Sequence, residues 1–136
     1  MSSEEDVEAI LNMKTIAVVG CSPKPGRPSH GVAAYLKSAG YRVIPVHPGV
    51  SRVLGETCYP SLKDIPGPVD VVDVFRRSEF ALDVVREAVA VKAKAVWLQD
   101  GVESAEAEEL ARRHGLRVVM NDCMMRRHAM REHPGE

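Results

Sequence analysis

The sequence predicts one α/β domain built on a doubly wound sheet of about five parallel strands. Short apolar segments rich in β-branched residues alternate five times with segments whose apolar residues recur at helical spacing. The apolar segments are nearly unbroken, which is typical of strands that helices cover on both faces. The connections are short, as in right-handed strand–helix–strand units. A length of 136 residues suits a single domain, and an apolar content of 45% suits a buried core.

The first predicted element is a helix over residues 3–12, because Ser2 and Ser3 can cap an acidic first turn. The predicted strands cover residues 15–20, 41–46, 69–75, 93–99 and 116–120. The later predicted helices cover residues 32–39, 78–91, 103–114 and a C-terminal tail over 122–133. Residues 50–60 look irregular, and residues 61–66 can form one helical turn.

Two of these helices carry detailed expectations. Gly40 is expected to end the helix over 32–39. Ser78 is expected to cap the helix over 78–91, with Phe80 and Val84 among the residues that face the core.

Composition argues against several classes of function. The formal net charge is −1 and only 4% of residues are aromatic, so a nucleic-acid-binding surface is disfavoured. The three cysteines, Cys21, Cys58 and Cys123, form no C-x-x-C pair, which disfavours a zinc site and a disulfide framework. Unpaired thiols fit a reducing compartment. The acidic N-terminus is unlike a signal peptide, and no apolar run approaches the ~20 residues that span a bilayer, so a cytoplasmic location without a membrane partner is expected.

A ligand is expected where the strands of such a sheet end, at the point where the strand order reverses. This rule selects the loops at 20–31, 47–49, 75–78, 99–101 and 121–123 before any motif is considered. The loop over 20–31 is the most informative, because it places Gly20 and several small residues ahead of a helix N-terminus. Backbone N–H groups and the helix dipole favour an anion there.

Polar side chains in this loop strengthen the prediction of a phosphate site. Lys24 and Arg27 supply positive charge, and Ser22 and Ser29 supply hydroxyl donors, so a pyrophosphate would suit the loop. The alternative is that Gly20 only permits a turn and that the prolines only stiffen the loop.

The fingerprints of common nucleotide-binding loops do not fit. A G-x-G-x-x-G motif that starts at Gly20 would need glycines at Ser22 and Pro25. The acidic residue that would hold an NAD ribose after the second strand is replaced by His47-Pro48. An NAD-dependent dehydrogenase is therefore disfavoured, although the alternative stays open.

The loops after the second and third strands offer further candidates. His47 could act as a general base or metal ligand, but we expect it to line a nucleotide pocket, with Pro48 fixing the chain direction. Phe75 could pack against an adenine and Arg76 could pair with a phosphate. The alternative is a core phenylalanine beside solvated arginines.

The last two strand ends carry an amide and two thiols. Gln99 can hydrogen-bond a ligand carbonyl or hydroxyl, or can simply orient its loop beside Gly101. Cys21 and Cys123 can border the cleft as reactive thiols, or can be small, buried and inert. We favour inert thiols.

The sequence resembles a known family. Three segments carry the resemblance: IAVVGCSPKPGRPSHGVAAYLKSAGYRVIPVHPG, YPSLKDIPGPVDVVDVFRR and AVWLQDGV. They resemble the small stand-alone CoA-binding proteins of bacteria and archaea, which are related to the CoA-binding domain of the succinyl-CoA synthetase α subunit. The resemblance covers residues 14–123, and the S-x-x-P-x-R-P-S-H motif at 22–30 is its most specific part.

The resemblance implies a Rossmann-like fold that binds coenzyme A or an acyl-CoA across the strand ends. It implies phosphate contacts by Gly20, Ser22, Lys24, Arg27 and Ser29, with Cys21 and Pro28 in the same segment. It implies that the adenosine is bordered by Val46, His47, Pro48, Phe75 and Arg76. It implies that the pantetheine arm lies towards Gln99 and Gly101. No catalytic residue and no metal ligand is carried over. The chain departs from the family at His47, where asparagine is usual, and at Asn121-Asp122.

Three functions follow as hypotheses. The first is a module that binds CoA or acyl-CoA without chemistry of its own. The second is an enzyme, either NAD(P)-dependent or using Cys21 or Cys123 on a thioester. The third is a redox-sensing module that binds NAD(H). A homodimer or an unknown protein partner is compatible with each.

Overall fold

The computed structural model describes residues 3–133, which form five α-helices and seven strands. Residues 1–2 and 134–136 of the predicted 1–136 domain, with the possible cap Ser2, lie outside the described residues. The helices are α1 (Glu4–Leu11), α2 (Pro28–Ser38), α3 (Ser78–Ala90), α4 (Ala105–Arg113) and α5 (Met124–Glu132). The strands are β1 (Thr15–Val19), β2 (Arg42–Val46), β3 (Arg52–Val53), β4 (Glu56–Thr57), β5 (Val71–Val74), β6 (Ala95–Leu98) and β7 (Arg117–Met120), and a 3-10 turn covers Leu62–Asp64.

Five parallel strands form the main sheet, in the order β2-β1-β5-β6-β7. In register, Ala17 of β1 pairs with Ile44 of β2 on one side and with Val72 of β5 on the other. The chain thus moves from β1 outward to β2 and then returns to β5, so the strand order reverses between β1 and β5. The predicted doubly wound, Rossmann-like sheet is confirmed.

The strands bury side chains on both faces, as their unbroken apolar sequences predict. Val72 and Leu98 face a core cluster that includes residues of α3 and α4. Trp97 lies on the opposite face, in a cluster with residues of α1, α2 and α5, and its indole N–H donates to the Asp122 carbonyl at 3.0 Å. Full burial of an aliphatic side chain stabilises a fold by ~1.5–3 kcal/mol, so the two clusters are the main source of stability.

A buried carboxylate anchors the first helix. The Ser3 hydroxyl accepts a hydrogen bond from Asp6 N at 3.1 Å, which confirms the predicted cap. The Asp6 carboxylate accepts from Arg117 at 3.0 Å and from Arg112 at 3.3 Å. Burial opposes ionisation of Asp6, but these hydrogen bonds outweigh it and lower its pKa. Asp6 therefore ties α1 to α4 and β7.

Two expectations for α3 are wrong. Ser78 is the first helical residue rather than the cap, and its hydroxyl accepts from Glu103 N at 2.9 Å and donates to the Gly101 carbonyl at 3.3 Å. Ser78 thus links α3 to the loop that follows β6. Phe80 is 38% exposed, and the Arg76 guanidinium lies 4.6 Å from its ring centroid. The buried stripe of α3 runs instead through Ala81, Val84, Val85 and Ala88.

Two further segments differ from expectation. Helix α2 begins at Pro28, four residues before the predicted helix over 32–39, because the fixed φ of proline suits the first helical position. The segment over 50–60, expected to be irregular, contains the antiparallel β3–β4 hairpin. Beyond the hairpin, Tyr59 N donates to the Pro45 carbonyl at 3.1 Å and the Tyr59 carbonyl accepts from His47 N at 2.9 Å. This segment covers part of the edge of β2.

No helix within residues 3–133 is long and apolar enough to cross a lipid bilayer.

Candidate functional site

A cavity of about 790 Å³ lies at the carboxyl ends of the strands, where the loops after β1, β2, β5, β6 and β7 meet. It therefore occupies the edge of the sheet that the topology rule selects. Ten of the fourteen predicted binding residues line it: Gly20, Ser22, Lys24, Arg27, Pro28, Ser29, His47, Phe75, Arg76 and Gln99. The remaining four do not line it: Cys21, Val46, Pro48 and Gly101.

Gly20 shapes the cavity through its backbone conformation. Its φ is +84°, which L side chains rarely adopt, and a Cβ placed there would overlap the carbonyl oxygen of Phe75. The Gly20 N–H donates to the Val46 carbonyl at 2.9 Å, and Cys21 N approaches the same oxygen at 3.3 Å. These two N–H groups therefore hold the sheet together, and neither is free to donate to a phosphate.

Free donors lie further along the same loop. Ser22 N donates to the Ser29 hydroxyl at 2.9 Å, and Lys24 N donates to the Ser22 hydroxyl at 3.1 Å. Both hydroxyl groups keep their own protons for another acceptor. In the described part of the chain, Gly26 N and Ser29 N have no hydrogen-bond partner, and no side chain caps α2. The N-terminus of α2 thus presents unsatisfied donors next to the cavity.

Three cationic side chains line the cavity. Lys24 and Arg27 are exposed, Arg76 is half-buried, and none of the three forms a salt bridge with another residue of 3–133. By contrast, Arg77 lies 3.7 Å from Glu79. Unpaired positive charge beside a helix N-terminus favours binding of a phosphate or another multiply charged anion.

The position of Phe75 is compatible with both predictions from the sequence, a core residue and a residue that contacts a ligand. Its half-buried ring packs against the core cluster of α1, α2 and α5, and it also lines the cavity. It can therefore offer one ring surface to a ligand while the rest of the side chain stays in the core.

The loop after β2 contributes the His47 imidazole. Nδ1 lies 2.7 Å from the Pro48 carbonyl, which can only accept, so Nδ1 carries a proton and Nε2 is left for a ligand. Val46 is buried in the core and contributes its carbonyl to the turn at Gly20. Pro48 lines a separate small cavity of about 110 Å³, which Gly20 and Arg76 also line.

A buried polar pair lies beneath the cavity. Gln99 is 3% exposed and lines the cavity, and its amide nitrogen donates a hydrogen bond to Oδ1 of Asp73. Asp73 is fully buried in β5, and its Oδ2 has no partner among the described residues. Burial raises the pKa of Asp73 to about 7, although the hydrogen bond from Gln99 opposes this rise.

The loop after β6 is held from two sides. Gly101, at φ +83°, donates its N–H to the Asn121 side-chain oxygen at 2.7 Å. Asp100 lines the cavity and accepts two hydrogen bonds of 2.9 Å from Arg126 of α5. The Arg126 hydrogen bonds lower the pKa of Asp100, so the carboxylate is charged and paired. Gly101 therefore supports the loop shape rather than the cavity wall.

All three cysteine thiols are buried, and none forms a disulfide. Burial raises the pKa of Cys21 to about 12, which leaves its thiol protonated at neutral pH and supports the inert interpretation. Cys123 lines the cavity with 7% of its surface exposed.

Six cavity residues were absent from the predicted site: Pro23, Val32, Val50, Asp100, Val102 and Cys123. The position of Cys123 at the end of the last strand predicts that it borders the cleft, and it does line the cavity. Val32, Val50 and Val102 were not predicted, because an apolar residue in a loop or on a helix gives no sign of facing a ligand. They make the wall partly apolar, so the cavity suits a ligand with an anionic part and an uncharged remainder.

Comparisons with known proteins show the family of this chain. The model of a family described as the CoA binding domain matches residues 14–129. The uncharacterized protein YneT of Bacillus subtilis is 40% identical over 129 residues, which cover 95% of this chain and 96% of YneT. A solved structure of a hypothetical protein from Pyrococcus horikoshii superimposes with a TM-score of 0.88 at 44% identity, over 93% of this chain and 89% of that one.

A larger enzyme contains a similar segment. ADP-forming acetate–CoA ligase II of Archaeoglobus fulgidus is 30% identical over 125 residues, which cover 83% of this chain. The match covers 19% of the ligase, so this chain is similar to one part of that enzyme.

Proposed function

The chain belongs to the CoA binding domain family, and on that premise we propose that it binds coenzyme A or an acyl-CoA in the cavity at the carboxyl ends of its strands. We propose that it does so as a binding module, without catalysing a reaction of its own. The nucleotide phosphates contact the loop over 20–31, and the pantetheine arm extends towards the loop after β6.

One observation carries this proposal. Lys24, Arg27 and Arg76 line the cavity without salt bridges inside residues 3–133, next to free N–H groups at the start of α2. Unpaired cations beside unsatisfied N–H donors favour the binding of an anion, which satisfies both. CoA carries phosphates on its nucleotide and a neutral, partly apolar arm, which matches the charged and uncharged parts of the cavity wall.

Thermal unfolding with separate ligands tests the proposal. A ligand present at about 100 times its Kd stabilises the folded state by about 2.7 kcal/mol, which raises the Tm of a domain of this size by several degrees. We expect CoA and acetyl-CoA to raise the Tm, and NADH and ATP at the same concentration to leave it unchanged. A rise with NADH alone would reject the proposal and favour the NAD(P)-dependent enzyme or sensor.

Replacement of Arg27 tests the phosphate end of the site. Arg27→Ala should weaken CoA binding by about 1–3 kcal/mol, because a charge-assisted hydrogen bond to a phosphate is lost. The Arg27 side chain makes no capping bond to α2, and alanine keeps its backbone contacts, so the fold should be unaffected. Titration calorimetry measures the loss.

The matched control is Arg113→Ala, which removes the same charge from α4, away from the cavity. Equal affinity of the Arg27→Ala and Arg113→Ala proteins would exclude Arg27 from the site.

We also propose a cytoplasmic location, which the three unpaired cysteines support.

A further inference from the structure

Asp73 is an ionisable residue at a buried position where the fold alone does not require one. It lies in the central strand β5, where its neighbours in register are Val18 and Trp97. Its side chain is fully buried, and Oδ2 is the one side-chain polar atom within residues 3–133 that is buried without a hydrogen-bond partner. A valine would fill this position at lower cost, because an unpaired buried carboxyl oxygen is destabilising.

The single side-chain partner of Asp73 in the described chain is Gln99, which lines the cavity. Resting on the proposed CoA site, we propose that Asp73 is a positioning residue: it fixes the Gln99 amide so that the amide oxygen faces the cavity and accepts a hydrogen bond from an amide N–H of the pantetheine arm.

Hydrogen-bond polarity determines this orientation. As a carboxylate, Asp73 can only accept hydrogen bonds, and in the structure the Gln99 amide nitrogen donates to its Oδ1. The Gln99 oxygen must then point the other way. No other hydrogen bond to the Gln99 side chain occurs within residues 3–133, so this oxygen remains available to a donor in the cavity. Without Asp73, the amide could rotate and present its own N–H groups, which would face an N–H group of the ligand.

The chemistry of the cavity wall agrees with this assignment. The loop that holds Gln99 lines the cavity with Val102 and with Asp100, whose carboxylate is already paired with Arg126, whereas the unpaired cations come from the loops after β1 and β5. The part of the ligand near Gln99 is therefore uncharged, and the secondary amides of pantetheine are uncharged N–H donors. An acceptor at Gln99 also selects CoA over ligands that carry no such amide.

Binding of two ligands to three proteins tests the proposal. We would measure the affinities of CoA and of 3′-phospho-ADP, which is the nucleotide part of CoA without the arm, for the natural protein, Asp73→Leu and Asp73→Asn. Leucine removes the acceptor at similar size, and asparagine keeps a carbonyl acceptor. We expect Asp73→Leu to weaken the binding of CoA about 10-fold, as for one lost hydrogen bond, and to leave the binding of 3′-phospho-ADP unchanged. We expect Asp73→Asn to bind CoA within about twofold of the natural protein.

Other outcomes overturn the proposal in distinguishable ways. The positioning role would be rejected if a folded Asp73→Leu protein lost affinity for both ligands to the same extent. It would also be rejected if the affinity for CoA did not change. Failure of the natural protein to bind CoA would reject the proposed function and this proposal together. If leucine unfolds the domain, Gln99→Met removes the amide itself and should show the same loss for CoA alone. Unchanged CoA affinity in Gln99→Met would then reject the proposal.

Discussion

Raising the pH from about 5 to about 8 should destabilise the folded protein by about 3 kcal/mol through one group, the Asp73 carboxyl. Burial raises its folded-state pKa to about 7, from the ordinary value of 3.8 in the unfolded chain. Between these two values the folded state holds a proton that the unfolded state has lost, so stability falls as the pH rises. A difference of roughly three pKa units corresponds to about 4 kcal/mol in total, most of which lies between pH 5 and pH 8.

The control for this prediction is Asp73→Asn, which cannot ionise at the same position. Urea unfolding across the range should show a falling free energy of unfolding for the natural protein and a much flatter profile for the variant. Four other carboxyl groups have lowered pKa values, so they stabilise the folded protein throughout this pH range and lose that effect only at lower pH. They belong to Asp6, Asp70, Asp100 and Glu108. Parallel profiles for the two proteins would show that Asp73 is ionised in the folded state throughout.

Gly20→Ala should destabilise the domain by about 3 kcal/mol or more and weaken CoA binding in whatever protein remains folded. A φ of +84° costs a non-glycine residue roughly 1 kcal/mol or more, and the new Cβ would also meet the Phe75 carbonyl oxygen, with the Phe75 carbonyl carbon at 3.1 Å. The Phe75 backbone would have to move, and Gly20 and Phe75 both line the cavity. Urea unfolding and CoA titration measure the two effects.

Gly115→Ala provides a matched control. Gly115 has a similar φ of +80°, but no atom lies within 4 Å of the position of its Cβ. The control should therefore lose only the stability that the unfavourable φ costs, about 1 kcal/mol in the free energy of unfolding, and should bind CoA normally. Equal losses of stability in the two variants would show that the close approach of Gly20 to Phe75 has no energetic consequence.

Much of the fold could be predicted because its local patterns are strong. The β-branched segments became β1, β2, β5, β6 and β7, and their nearly unbroken apolar character correctly indicated a sheet covered on both faces. Errors arose where local signals had two meanings. Ser78 has the residue type of a cap, yet its hydroxyl bonds across to the loop after β6. Phe80 is apolar and at helical spacing, yet it lies beside the buried stripe and contacts Arg76.

The position of the site was predictable for a different reason. In a parallel doubly wound sheet all strands end at one edge, so residues such as Lys24, His47 and Gln99, which are distant in sequence, had to meet there. Which of them face the cavity was not predictable to the same extent. Cys21 lies in one expected loop and Val46 ends the strand before another, yet their side chains are buried in the core.

The sequence by itself determined the element types, the single parallel sheet, the edge of the sheet that carries the cavity and the family to which the chain belongs, because each depends on local periodicity or on a contiguous motif. Only the tertiary structure decided how the polar groups at that edge are paired. The Gly20 N–H bonds to Val46 because β1 and β2 are adjacent, which moves the free donors to the start of α2. Asp73 meets Gln99 because β5 and β6 are adjacent. Hydrogen bonds between residues that are distant in sequence depend on strand order and register, which no local pattern encodes.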